Sequence, residues 1–212
     1  MSEQQIQSVI RNTQRRWFDD GLWEISFGAA NLLLGLYFLL VTLLDLPKRI
    51  GPWMAVLQIG IILMVFGGMR FVVPKLKERF AYPRTGYASF RRPERSERRR
   101  KAFWRGMLSG GVAAAVATII GLANAANLAP GLTALIFAGM CFYLSFRMGI
   151  QRFAILGLLT LVTGFILTQL RLDVDSSMSA LFIAFGTLCA LLGIIALITF
   201  LRRTRPITEE EL

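Results

Sequence analysis

The sequence predicts an all-α integral membrane protein: six transmembrane helices in three hairpins, preceded by an amphipathic helix, with both ends in the cytoplasm. Three observations predict it. The chain of 212 residues is 55% hydrophobic and only 17% charged, with a mean hydropathy of +0.55, where a soluble domain carries about 25% charge. Its apolar residues come in blocks of spanning length. And 21 of its 24 Lys and Arg residues fall on one side of the resulting map, with only Lys48, Arg49 and Arg171 on the other; the side richer in cations is the cytoplasmic one.

At the start, Ile6, Val9, Ile10, Thr13 and Trp17 follow helical spacing with Arg11, Arg15 and Arg16 between them. Residues 1–20 therefore read as an amphipathic helix lying in the membrane interface. Asp19-Asp20-Gly21 opens the first span, Leu22–Leu44, because acids suit the positive end of a helix dipole. The first span is too long for a signal-peptide core, and no small-x-small cleavage site follows it. Pro47 and Pro52 bracket an outer loop, and Pro52–Val73 forms the second span, which Pro74 ends. The first hairpin thus covers residues 21–74.

Residues 75–105 form a basic cytoplasmic insert with 12 basic and three acidic residues, which is net +9 of the chain's +11. Tyr82-Pro83-Arg84-Thr85-Gly86-Tyr87 reads as a turn within it, since Pro presets φ and Gly permits φ > 0. Gly106 to Phe146 then runs 41 residues without a charge. As one helix it would reach about 60 Å, twice the hydrocarbon core, so it folds back at Asn124-Ala-Ala-Asn127-Leu-Ala-Pro130-Gly131 as the second hairpin. Residues 147–201 make the third hairpin, with spans Phe153–Leu170 and Met178–Leu201, and residues 202–212 a cytoplasmic tail. Trp17, Trp23 and Trp104 fall at the inner interface and Trp53 at the outer one, as an aromatic belt requires.

Glycines recur at seven-residue spacing: Gly28 and Gly35 in the first span match Gly157 and Gly164 in the fifth, and Gly60 and Gly67 in the second match Gly186 and Gly193 in the sixth. This is either a parallel internal repeat or the general glycine enrichment of spanning helices. In the third span Gly106, Gly110 and Ala114 form one small-residue row, and Ala113, Ala117, Gly121 and Ala125 another; two such faces predict a central position in the bundle, with an oligomer contact as the alternative. Six short helices in three hairpins with these glycine spacings resemble the HdeD-type acid-resistance membrane proteins of bacteria. The resemblance covers the spans alone, implies a stress-linked membrane role and transfers no functional residue.

The insert residues Arg91, Arg92, Arg95, Arg98, Arg99, Arg100 and Lys101 are the candidates for binding anionic lipid head groups, each worth about 1 kcal/mol near such a surface. The competing reading is a positive-inside signal and nothing more. Nucleic acid is not an expected partner, because a basic run tethered at a membrane is a weak signal. Glu24, Asn31, Gln58 and Arg70 are the candidates for a polar site within the membrane. Glu24 reads either as a proton or cation site or as a first-turn acid, with a Glu24–Arg70 pair sterically feasible. Asn31 and Gln58 read as interhelical hydrogen-bonding groups or as part of a solute path. Cys141 and Cys189 lie in spans as small packing residues.

No catalytic set, cofactor fingerprint or metal spacing is expected: the chain has no His, two Cys, and in Asp173 with Asp175 only a solvated turn. The expectation is a non-enzymatic interaction or stress-related protein of the bacterial plasma membrane with a basic cytoplasmic face. The alternative is a small channel or facilitator, with homo-oligomers open to either.

Overall fold

The computed structural model describes residues 18–44, 51, 53–82 and 126–204. The amphipathic start, most of the basic insert, the third span with its two small-residue rows, and the tail lie outside the described residues. Those that are described form five α-helices: α1 (Leu22–Leu43), α2 (Trp53–Phe80), α3 (Ala129–Met148), α4 (Gln151–Leu170) and α5 (Val174–Arg203), with a 3-10 turn, Ala126–Leu128, leading into α3. All five are long and apolar enough to cross a membrane. At ~1.5 Å per residue, even the 20-residue α3 and α4 span the ~30 Å hydrocarbon core. This is the architecture of a multi-pass membrane protein.

The helix ends have local causes. Gly21 starts α1 at φ +67°, a left-handed conformation that costs glycine little, and Asp20 accepts a hydrogen bond from the Leu22 amide at 3.1 Å. Pro130 occupies the first turn of α3 instead of forming the preceding turn, because a first-turn proline gives up only an amide that would be unpaired anyway. Gly149, again left-handed, ends α3 and passes its amide to the Ser145 carbonyl at 2.8 Å. Asp173 caps α5 by accepting from the Ser176 amide at 3.0 Å. Those Ser176 hydrogen bonds hold the Asp173 carboxyl below its usual value, so its stabilising effect is present at neutral pH and is lost as pH falls through that lowered value.

The expected end of the second span is corrected. Pro74 does not stop α2, which continues through it to Phe80. A proline removes one hydrogen bond, and the residues beyond it keep theirs. The last turns are also held from outside, by an ion pair from Lys77. The stretch 75–80, assigned to the insert by composition, is therefore helical. α5 likewise extends beyond its apolar window at both ends.

The helix pairs follow the glycines. α1 and α5 run antiparallel along a seam where glycines of each helix meet the backbone of the other. A Cβ at Gly28 would stand 2.6 Å from the Ala190 amide nitrogen and 2.7 Å from the Gly186 carbonyl oxygen. A Cβ at Gly35 would stand 2.9 Å from the Ile183 amide, and one at Gly21 would strike the Gly193 carbonyl. As the α1 position rises by seven, its α5 partner falls by seven: Gly21 with Gly193, Gly28 with Gly186, Gly35 with Ser179. A seven-residue step returns to nearly the same helix face, so one side of each helix is shaved flat. Ser179 crosses the seam to donate to the Gly35 carbonyl at 2.9 Å. α3 and α4 form a second antiparallel seam, where Gly157 faces Ala138 and Cys141 and Gly164 faces Ala134.

Of these principal pairs, α3 with α4 is a hairpin of consecutive helices, though not one of the three expected hairpins, and α1 with α5 joins the first and last described helices. Nor do the matched glycines share an environment. No described atom lies within 4 Å of a Cβ built at Gly60 or Gly67. α2 is peripheral among the described residues: 6% of its apolar window is buried, against 50% for α1. Between the seams sits a core of Phe27, Cys141, Leu156, Phe185 and Cys189. Phe27 meets Phe185 edge-on at 5.9 Å, and Phe137 meets Phe185 at 4.7 Å. Both cysteines are free thiols.

The seam predicts a contrast in thermal stability of the detergent-solubilised protein. Gly28→Ala and Gly186→Ala force backbone apart and should cost about 1–3 kcal/mol each. Gly60→Ala meets open space and should gain up to about 1 kcal/mol from helix propensity. Equal melting of all three variants would mean that the α1–α5 seam is not the tight contact.

Candidate functional site

The α1 start carries two acids four residues apart, Asp20 and Glu24, which therefore share a face. Both are buried, Glu24 to 1% exposure. Carboxylates at such a depth require cations, and two other helices supply them. Lys77, in the last turns of α2, donates to Asp20 at 2.7 Å and is itself fully buried. Arg152, in the first turn of α4, stands 2.6 Å from Glu24 Oε1 and also donates to the Phe18 carbonyl. The result is a neutral cluster of two acids and two bases tying α1, α2 and α4 together at one end of the bundle. The Arg152–Glu24 contact is an ion pair to Oε1, and Glu24 Oε2 has no hydrogen-bond partner among the described residues.

The four sequence candidates for an intramembrane site are not brought together. Glu24 and Asn31 lie seven residues apart on the buried face of α1, so Asn31 is about 10 Å deeper. Asn31 donates from Nδ2 to the Phe27 carbonyl at 2.8 Å, and its Oδ1 is buried without a described partner. Gln58 is half-buried near the other end of α2, and Arg70 is exposed. Glu24 pairs with Arg152, not with Arg70. The lipid candidates Arg91, Arg92, Arg95, Arg98, Arg99, Arg100 and Lys101 lie outside the described residues.

Sequence reasoning passed over Asp20, Lys77 and Arg152 as site residues. Lys77 falls in the stretch that reads as the basic insert, and Arg152 falls just before the fifth span. The available signal was the pair Asp20 and Glu24, since two acids on one face entering a membrane demand two cations from elsewhere in the chain.

Around the neutral cluster the rim is cationic. Lys75, Arg79, Arg147, Arg202 and Arg203 lie at helix ends on the same side as Lys77 and Arg152, whereas Arg171 is the one described cation at the opposite end. Arg70 stands two turns in from the basic end. Aromatic rings accompany two of the rim arginines: Arg79 over Phe80 at 5.9 Å and Arg147 over Tyr143 at 5.8 Å. The described residues hold no group of three or more potential metal ligands. No family model matches the chain, and no curated protein or solved structure shows significant similarity to it.

The cluster predicts a hierarchy of mutational costs. Arg152→Ala leaves Glu24 buried without its cation and should cost about 3–5 kcal/mol. Arg70→Ala, at an exposed position, should stay within about 0.5 kcal/mol of the parent. Thermal unfolding in detergent reads both; equal effects would show that the Arg152–Glu24 pair carries no stability.

Proposed function

We propose that this chain is a six-span, non-enzymatic protein of the bacterial plasma membrane, with both ends in the cytoplasm and a basic cytoplasmic face that engages anionic head groups. A stress-linked interaction role is the function in view. The observation that carries the reading is the contrast at the basic end: interior charges neutralise one another, while at the described rim five cations outnumber the exposed acids Asp19 and Glu78. A solid aromatic core between glycine-tight seams favours a packed body over a conduit.

The sixth span has support from parity. The end of α2 lies beside Asp20 at the basic end, whereas α3 begins at the opposite end, where Gly131 faces Thr168. That placement supports the reading of an odd number of crossings between them, and the apolar run that follows the basic insert has the length for one. With the basic end in the cytoplasm, cysteines introduced at Lys48 and Asp173 should react with an impermeant thiol reagent from outside, and one at Arg95 should not. Labelling of Arg95 from outside would overturn the orientation.

The lipid reading predicts salt-dependent binding. Neutralising Arg98, Arg99, Arg100 and Lys101 removes four charges worth ~1 kcal/mol each near an anionic surface. Enrichment of anionic lipid around the reconstituted protein should drop in that variant. The difference should fade as the Debye length falls from about 10 Å at 0.1 M salt to about 3 Å at 1 M. Enrichment that ignores both changes leaves the run as an orientation signal only.

The burial of Glu24 favours one second reading, a small channel or facilitator with Glu24 on its path. Proteoliposomes decide it. The packed-body reading expects no proton or potassium flux above that of protein-free vesicles, and flux abolished by Glu24→Gln would replace it.

A further inference from the structure

α3 presents one face to its surroundings. Its exposed residues are Leu135, Ile136, Gly139, Tyr143, Phe146 and Arg147. At about 100° per residue they fall within roughly one third of the helix circumference. The opposite face, with Ala134, Ala138 and Cys141, is buried. The exposed strip is graded along its length. At the basic end Arg147 lies over the Tyr143 ring and donates a hydrogen bond to the Tyr143 hydroxyl. No carboxylate pairs with Arg147 among the described residues. Phe146 stands beside this pair at 83% exposure. Two turns further in, Gly139 leaves a notch: a Cβ there would meet no described atom within 4 Å.

We infer that this face of α3 holds one anionic phospholipid, with its phosphate on Arg147 and Tyr143 and an acyl chain laid across Gly139. The inference rests on the membrane placement proposed above and assigns that reading a specific lipid site. Each part of the strip has a matching part of such a lipid. A guanidinium fixed by an aromatic ring keeps its remaining N–H groups free for the oxygens of a phosphate. A tyrosine with an apolar ring and polar tip suits the head-group level. Gly139 lies about 12 Å from Arg147 along the helix, so it sits in hydrocarbon when Arg147 is at the head groups. There the notch between Leu135 and Phe146 accepts a chain.

The plainer explanation of Arg147 is a cation placed against the carbonyl end of a helix. It accounts for the charge but not for the ring beneath it, the bare Phe146 or the notch. An anionic lipid is favoured over a zwitterionic one because Arg147 has no counter-charge among the described residues, while phosphatidylcholine carries its own cation.

The experiment is native mass spectrometry of the full-length protein released from mild detergent, with phosphatidylglycerol or phosphatidylcholine added. Wild type should retain phosphatidylglycerol in preference to phosphatidylcholine. Arg147→Gln should lower phosphatidylglycerol affinity about fivefold, the change given by ~1 kcal/mol. Gly139→Leu, which fills the notch and leaves every charge in place, should lower it as well. Arg171→Gln at the far end should match wild type. All positions are exposed, and unchanged thermal melting confirms that the variants fold.

Retention unaffected by Arg147→Gln overturns the site. The variant neutralised at Arg98, Arg99, Arg100 and Lys101 separates the two readings. A loss in that variant alone sinks the α3 site and keeps the basic-face reading. A loss with Arg147→Gln alone keeps the α3 site and removes the insert from lipid binding. Equal retention of both lipids by wild type overturns both.

Discussion

Where α1 meets α5 there is no room for a Cβ at the glycine positions, and the rest of the arrangement is built around that contact. In hydrocarbon, helices gain little from burying apolar surface, because lipid tails are as apolar as leucine; close backbone approach and dispersion take over. Gly21, Gly28 and Gly35 provide that approach on one side, and Ser179, Gly186 and Gly193 on the other. With the two backbones in contact, α4 can lie against α5 and bring Arg152 to Glu24, and α3 can close on α4 along its own seam. The aromatic cluster around Phe27 and Phe185 fills the space left between them.

The second organising feature is the separation of charges by depth. Asp20, Glu24, Lys77 and Arg152 neutralise one another inside the bundle end. Such a set gives little net stability, since desolvation offsets most of the attraction, but loss of any one member is costly. Its effect is on placement. α2 shares little buried surface with its described neighbours, and the Lys77–Asp20 pair fixes where its end must be. Among the described residues, the exposed cations at helix ends form no ion pair of this kind, and that difference separates the latch from the rim.

Much of the fold was legible in the chain because hydrocarbon thickness imposes a length on every crossing. The first span was read to within a residue of α1, and the fifth ends at Leu170 as α4 does. Errors appeared where a local rule met a distant partner. Pro74 and the charges after it argued for a stop, yet α2 continues because Asp20, 57 residues earlier, draws Lys77 into the bundle. The seven-residue glycine spacing was visible, but its meaning was not. Periodicity identifies a flat face and says nothing of which helix covers it, so Gly28 with Gly186 could not be distinguished from Gly28 with Gly157. The cluster was half legible: its acids are local in sequence, whereas its cations come from helices whose neighbours only the folded chain defines.

The pairing of α1 with α5 also sets an order of assembly during synthesis. α5 begins about 150 residues after α1, which at ribosomal rates of 5–20 residues per second is roughly 8–30 s later. Throughout that interval the flat face of α1 has no mate in the bilayer. Asp20 obtains its cation when α2 emerges, and Glu24 waits for α4. The first helix is thus made early and completed last. In that interval another helix with a flat face, from a second nascent chain or from the insertion machinery, could occupy the place reserved for α5. A substitution that slows the last helix would be felt first at the other end of the gene product.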